Sequence, residues 1–151
     1  MRVNVHGTCI RVGRAGRTLG APANAGVLIL GKSGAGKSDL ALRLIALGAT
    51  LVADDRTDLA VLRGRLVASA PKTIAGLLEV RGVGIVKMPH AQRVAISLVV
   101  ELTRKVVRLP ERETWAPPPP LRQARHPPLV RLNPFEASAA EKLLAAVREY
   151  S

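Results

Sequence analysis

Apolar residues come in short runs set apart by glycines and charges, and the rhythm of those runs changes part-way along the chain. Residues 3–12 carry strand-like stretches, and residues 13–26, rich in Gly, Ala and Arg, read as a long turn or loop. Val27-Leu28-Ile29-Leu30 is wholly apolar, the pattern of a strand buried on both faces. A Gly-rich turn follows. Leu40, Leu42, Leu44, Ile45 and Leu47 then sit among good helix formers, with Gly48 as the stop. Residues 50–53 predict a second short buried strand, closed by Asp54 and Asp55. Strand, loop, helix and strand in that order predict a βαβ unit with its two strands adjacent and parallel.

The second half is richer in strand signals. Residues 59–62 and 65–68 flank Arg63-Gly64 and predict a hairpin. Residues 77–88 form a glycine-punctuated extended stretch, and residues 94–102 a long β-branched strand. Pro117-Pro118-Pro119-Pro120 marks a surface connection. Residues 136–150 predict an amphipathic helix with Ala140, Leu143, Leu144 and Val147 on its apolar face. The expectation is one mixed α/β domain over residues 1–151.

Composition narrows the class. The chain has 151 residues and is 48% hydrophobic and 23% charged, which is the balance of a globular protein. A lone cysteine, Cys9, excludes a disulfide framework and a Cys-rich zinc site. No apolar run is long enough for a membrane span and no signal-peptide core opens the chain, so a cytoplasmic protein without a membrane role is expected. Net charge is +12, a surface that attracts polyanions or an acidic partner. Against nucleic acid stand the scattering of the basic residues and a supply of aromatics limited to Trp115, Phe135 and Tyr150.

The chemistry concentrates after the first apolar run. Gly31-Lys32-Ser33-Gly34-Ala35-Gly36-Lys37-Ser38 fits G-x-x-x-x-G-K-[ST] at every constrained position, between a strand and a helix. Glycines there let backbone N–H groups turn inward onto phosphate oxygens. Lys37 brings positive charge to the β- and γ-phosphates, Ser38 a hydroxyl for Mg²⁺, and the helix N-terminus its dipole. Asp54 and Asp55 close the next strand, at the sheet edge where open α/β folds bind ligands. One can hold the cation and the other accept a proton from an attacking hydroxyl, although neighbouring strand residues face opposite ways. An acid so soon after the phosphate loop favours phosphoryl transfer to an acceptor over hydrolysis.

These residues resemble a known family. Residues 31–38, Leu51-Val52-Ala53-Asp54-Asp55, Leu78-Glu79-Val80-Arg81-Gly82-Val83-Gly84-Ile85 and His6-Gly7 are similar, in order, to the C-terminal catalytic domain of bacterial HPr kinase/phosphorylase. The resemblance implies a P-loop kinase fold related to phosphoenolpyruvate carboxykinase, with a mixed sheet and a C-terminal helix. It implies an ATP- and Mg²⁺-dependent serine kinase acting on the phosphocarrier HPr, commonly as a hexamer. By the same resemblance Gly31, Lys32, Ser33, Gly34, Ala35, Gly36, Lys37 and Ser38 bind ATP, and Ser38 and Glu79 hold Mg²⁺. Asp55 accepts the proton with Asp54 beside it, His6 positions phosphate, and Arg108 is the catalytic arginine, with Arg112 as its neighbouring competitor.

The chain also departs from the family pattern. The expectation is a chain without the additional N-terminal domain of longer members; Asp39 stands where glutamate is common, and residues 13–25 come as additional chain between His6 and the phosphate loop. The family's Pro-Gly-Arg-Asn loop, tied to dephosphorylation, is replaced by Pro128-Leu129-Val130-Arg131-Leu132-Asn133-Pro134. Kinase activity with weak or absent phosphorylase activity is the expectation. The alternatives are a small-molecule P-loop kinase and a non-catalytic ATP-binding regulator.

Overall fold

A computed structural model describes all 151 residues. In chain order the strands are β1 (Val3–His6), β2 (Thr8–Arg11), β3 (Gly26–Leu30), β4 (Thr50–Ala53), β5 (Arg56–Leu62), β6 (Arg65–Ser69), β7 (Leu77–Val80), β8 (Gly84–Lys87), β9 (Arg93–Leu102), β10 (Glu113–Thr114) and β11 (Pro128–Leu132). Helix α1 (Lys37–Ala46) follows β3, and α2 (Ala139–Tyr150) ends the chain. Nine strands form one mixed sheet in the order β1-β5-β6-β9-β3-β2-β4, with β11 also pairing with β9 and β10 with β11. The hairpin of β7 and β8 is a separate two-stranded sheet. No helix is long and apolar enough to cross a membrane.

The predicted βαβ unit needs a correction. Strands β3 and β4 are not neighbours, because β2 lies between them and pairs antiparallel with both. They remain parallel to each other, with α1 crossing over. The apolar stretch of residues 3–12 supplies the extra strand: it breaks at Gly7, so that β1 pairs with β5 while β2 enters the middle of the sheet. The late helix also starts later than predicted, at Ala139 rather than residue 136, because residues 133–138 form turns. In the proline run Pro117 is buried, so this connection covers core rather than only running over the surface.

Other predicted elements are present. Arg63 and Gly64 both take positive φ (51° and 79°), the left-handed pair of a tight I′ hairpin turn joining β5 to β6. Gly48, at φ 116°, ends α1 one residue beyond its C-cap Leu47.

Core residues occupy both faces of the sheet. On one face α1 and α2 pack Leu40, Leu44, Leu143 and Val147 against Ile10, Val27, Ile29 and Leu51. On the other, Cys9, Leu28, Val52, Leu59, Leu66 and Val99 are covered partly by Leu121 and Ala124 of the loop before β11. β9 serves both cores through one irregularity. Val94 and Ile96 face the second core, yet Leu98, Val100 and Leu102 face the helices. The parity flips at Ser97, where the register with β3 jumps from Gly26↔Ile96 to Val27↔Leu98, as a bulge requires. One strand thereby meets β6 with its first half, β11 with its second, and β3 along its other edge.

The bulge brings backbones close at Gly26. A Cβ there would lie 2.4 Å from the Ala95 carbonyl oxygen and 2.6 Å from a Val94 methyl. Gly26→Ala is therefore expected to cost about 2 kcal/mol or more through overpacking against backbone. Urea denaturation should read this as a lower midpoint at unchanged slope.

Candidate active site

Between β3 and α1 the chain folds into a phosphate loop. Gly36 takes φ 99° as the N-cap of α1, a left-handed conformation that turns the chain into the helix. Lys37, the first helical residue, is buried, and its Nζ donates to the Gly31 and Lys32 carbonyls at 2.8 and 3.0 Å. Burial pulls the Lys37 ammonium below the usual lysine range, against the opposing pull of Asp55 and Asp54. Both carboxylates thus share the site with the lysine. Ala35 N–H bonds Lys32 O at 2.9 Å and closes the loop on itself.

Asp54 is the most connected of the acids. It is buried, and its Oδ1 accepts from Ser38 Oγ at 2.7 Å and from Thr8 Oγ1 at 2.9 Å. Its Oδ2 accepts from the Glu79 backbone N–H at 3.1 Å. One carboxylate ties α1, β2 and β7 together. Strict alternation from Leu51, which faces the helices, would have turned Asp54 away from α1. The register between β2 and β4 shifts, however, from Cys9↔Ala53 to Ile10↔Leu51. Val52 and Ala53 therefore both pack in the second core, and Asp54 comes back to the helix side.

Asp55 takes another course. It sits at φ 64°, a strained region that Asp tolerates better than most residues. Its exposed carboxylate meets His6 Nε2 at 3.2 Å. The β1–β5 ladder pairs His6 with Arg56, and Gly7 N–H donates to Asp55 O at 3.0 Å, which fixes the histidine in place. The additional residues 13–25 do not disturb it. They close into their own loop, with Val12 N–H on Ala25 O and Gly13 N–H on Ala23 O.

These groups line one cleft of about 350 Å³. Ser33, Gly34, Gly36, Lys37 and Ser38 form its floor, and His6 with Asp55 one wall. Glu79, Val80 and Arg81 of the β7–β8 hairpin form another, and Asp39, Leu42 and Phe135 close the side along α1. The oxygens of Ser38, Asp54 and Glu79 are the hard donors that Mg²⁺ takes. No three His, Cys, Asp or Glu side chains form a ready cage. That sparse set fits a cation held by one or two carboxylates together with phosphate oxygens.

Sequence reasoning placed Lys37, Ser38, Asp54, Asp55, His6 and Glu79 at one site, and the fold brings them together. Arg108 stands apart, in the exposed loop between β9 and β10, and does not line the cleft. Arg112 is engaged elsewhere, on Glu149 at 3.2 Å and over the Tyr150 ring at 4.7 Å. The arginine on the cleft wall is Arg81. Thr8 and Phe135 went unassigned in the sequence, because neither stands in a motif that names its contact.

Comparison with known proteins places the chain. The profile of the HPr Serine kinase C-terminal domain family matches residues 2–110. The chain belongs to that family. HPr kinase/phosphorylase of Clostridium tetani is 41% identical over 90 residues, covering 60% of this chain and 28% of that protein. The Brevibacillus brevis protein of the same name is 43% identical over 93 residues, 61% of this chain and 29% of its own length. These matches span less than a third of the relatives' length. The Hpr(Ser) kinase/phosphatase structure from Coxiella burnetii superposes with a TM-score of 0.77 at 21% identity, over 97% of this chain and 95% of that one. The HPr serine kinase C-terminal domain is thus present as its P-loop kinase fold, and the structural likeness extends past residue 110 to β11 and α2.

The two acid contacts differ in burial, and that difference is measurable. Thr8→Val keeps shape but removes a buried donor to a carboxylate, and should cost about 1.5 kcal/mol or more. His6→Ala, at an exposed pair, should stay within about 0.5 kcal/mol of wild type. Chemical denaturation of both variants tests the contrast.

Proposed function

We propose that this chain is an ATP-dependent protein serine kinase whose acceptor is HPr. The observation that carries this reading is the meeting of the phosphate loop with two differently held carboxylates: Asp54 on Ser38 and Asp55 at the open mouth. The family, and the names of relatives such as the Clostridium tetani protein, supply the acceptor. A positively charged chain suits charge-steered docking of a small partner.

In this reading the backbone N–H groups of residues 31–38 and the α1 N-terminus hold the triphosphate. Lys37 neutralises charge on the β- and γ-phosphates, its carbonyl contacts giving way to phosphate oxygens. Mg²⁺, when bound at Ser38 and Glu79, supplies further charge neutralisation. Asp54 orients the Ser38 hydroxyl and is the fixed point of the site. Asp55 accepts the seryl proton as the new O–P bond forms and the bond from the γ-phosphorus to the β–γ bridging oxygen breaks, with ADP leaving. His6 keeps the Asp55 carboxylate aimed at the cleft and stands beside the transferred phosphoryl group. Arg81 is the guanidinium available along the cleft wall, which Arg108 does not line.

Weak or absent phosphorylase activity belongs to the same proposal. The two residues most similar to the missing Pro-Gly-Arg-Asn loop are occupied. Arg131 pairs with Glu101 and Glu113, whose hydrogen bonds raise its pKa, and Asn133 Oδ1 accepts from Phe135 N–H at 3.0 Å. Neither lines the cleft.

Incubation with Mg-ATP and purified HPr is expected to give an acid-stable phosphoserine, absent with Lys37→Ala. Asp55→Asn should slow it by about a hundredfold or more, the share of a general base. Label on a small metabolite and on no protein would instead identify a small-molecule kinase. ATP binding without turnover, untouched by Asp55→Asn, would identify a regulator. For the reverse direction, phosphorylated HPr with inorganic phosphate should release little or no pyrophosphate, and release at a rate matching the kinase reaction would overturn that part.

A further inference from the structure

Phe135 is the aromatic that lines the cleft, and it is 58% exposed. An aromatic ring bordering a polar, charged cleft offers it a broad apolar face. Its position is unusually well fixed for an exposed side chain. Arg43 of α1 reaches across to three carbonyls of residues 134–137, donating to Pro134 O at 2.8 Å, Ala137 O at 3.2 Å and Glu136 O at 3.3 Å. Asn133 Oδ1 receives the Phe135 N–H from the other side. The helix that carries the phosphate loop thus carries the ring as well. A Cβ built on Gly36 would lie 3.4 Å from Pro134 and 3.9 Å from the Phe135 ring, so ring and phosphate loop are in immediate reach of each other. Arg104 sits over the ring, 4.6 Å from its centroid, and does not itself line the cleft. The ring therefore has a guanidinium over one face and borders the open cavity.

We infer that Phe135 is the platform on which the base of a nucleoside triphosphate stacks, with Arg104 backing the ring. This rests on the proposed function, which seats the triphosphate on residues 31–38. A triphosphate on that loop has its β- and γ-phosphates at Lys37 and Ser38, and its nucleoside end runs out along the first two turns of α1. Asp39, Leu42 and Phe135 form the cleft side there. Leu42 gives the base an apolar edge and Phe135 gives it a face. Stacking on an aromatic ring is tolerant of base identity, so the platform adds affinity for a nucleoside without choosing strongly among bases. It also explains why residues 133–137 are tied to Arg43, although the family profile ends at residue 110.

The test compares two ligands of equal phosphate chemistry, Mg-ATP and Mg-tripolyphosphate, which lacks the nucleoside, by isothermal titration calorimetry. Phe135→Ala should weaken ATP binding about tenfold or more, the loss of one stacked base, and leave tripolyphosphate within about twofold. Phe135→Tyr should retain ATP affinity. Equal losses for both ligands, or no loss for either, would overturn the inference while leaving the phosphate-loop reading intact. Failure of the wild-type chain to bind either ligand would overturn that parent reading, and this one with it.

Discussion

The site depends on a single buried carboxylate. Asp54 accepts one hydrogen bond from each of three elements that are distant in sequence: β2 through Thr8, α1 through Ser38 and β7 through the Glu79 backbone. A carboxylate out of water is tolerable only when its lone pairs are satisfied. Here the donors are the functional groups themselves, so the requirement that stabilises Asp54 also fixes where Ser38 and Glu79 stand. No buried side-chain polar atom is left without a partner anywhere in the chain. Asp55, one residue on, is free of that duty. It is exposed, held in a turn and matched only with His6, which leaves it open to an incoming group.

Much of this was legible in the sequence because its signals are local. The spacing of residues 31–38, the wholly apolar run before it and the Gly48 stop are each decided by neighbours within a few positions, and β3, the loop and α1 follow. What was not legible is non-local. Nothing in residues 8–11 says that this segment inserts between β3 and β4 rather than pairing beside β1, because any short strand able to be buried on both faces could fill that slot. Aspartate roles were also hidden, since they depend on a one-residue shift opposite Cys9 that has no glycine or proline to announce it. Thr8 and Phe135 gain meaning only from contacts across the fold. Arg108 shows the converse: a local pattern singled it out, and it lies in an exposed loop that does not line the cleft.

Both sheet irregularities do the same kind of work. In β4 the shift decides which aspartate faces α1, and in β9 it lets one strand feed two cores. Cys9 lies at the first of these and is fully buried, and burial pushes its thiol well above the usual range, leaving it inert packing material. A sheet of nine strands thus carries two separate apolar clusters, with the helices on one side and the chain leading to β11 on the other.

The loop of residues 13–25 bears on how such domains diverge. Its ends are pinned together by backbone bonds from Val12 to Ala25 and Gly13 to Ala23, so the β2–β3 hairpin sees the same closure whatever lies between. Lengthening a closed connection raises its entropic cost only logarithmically, about 0.6 kcal/mol per doubling. Residues can therefore be added at the exposed tip, residues 17–20, while His6 and Lys37 keep their spatial relation, whereas the buried Gly16, Ala21 and Ala25 are held by the core. Separation along the chain is a poor ruler for comparing active sites in this family, and hydrogen-bonded strand pairs are a good one.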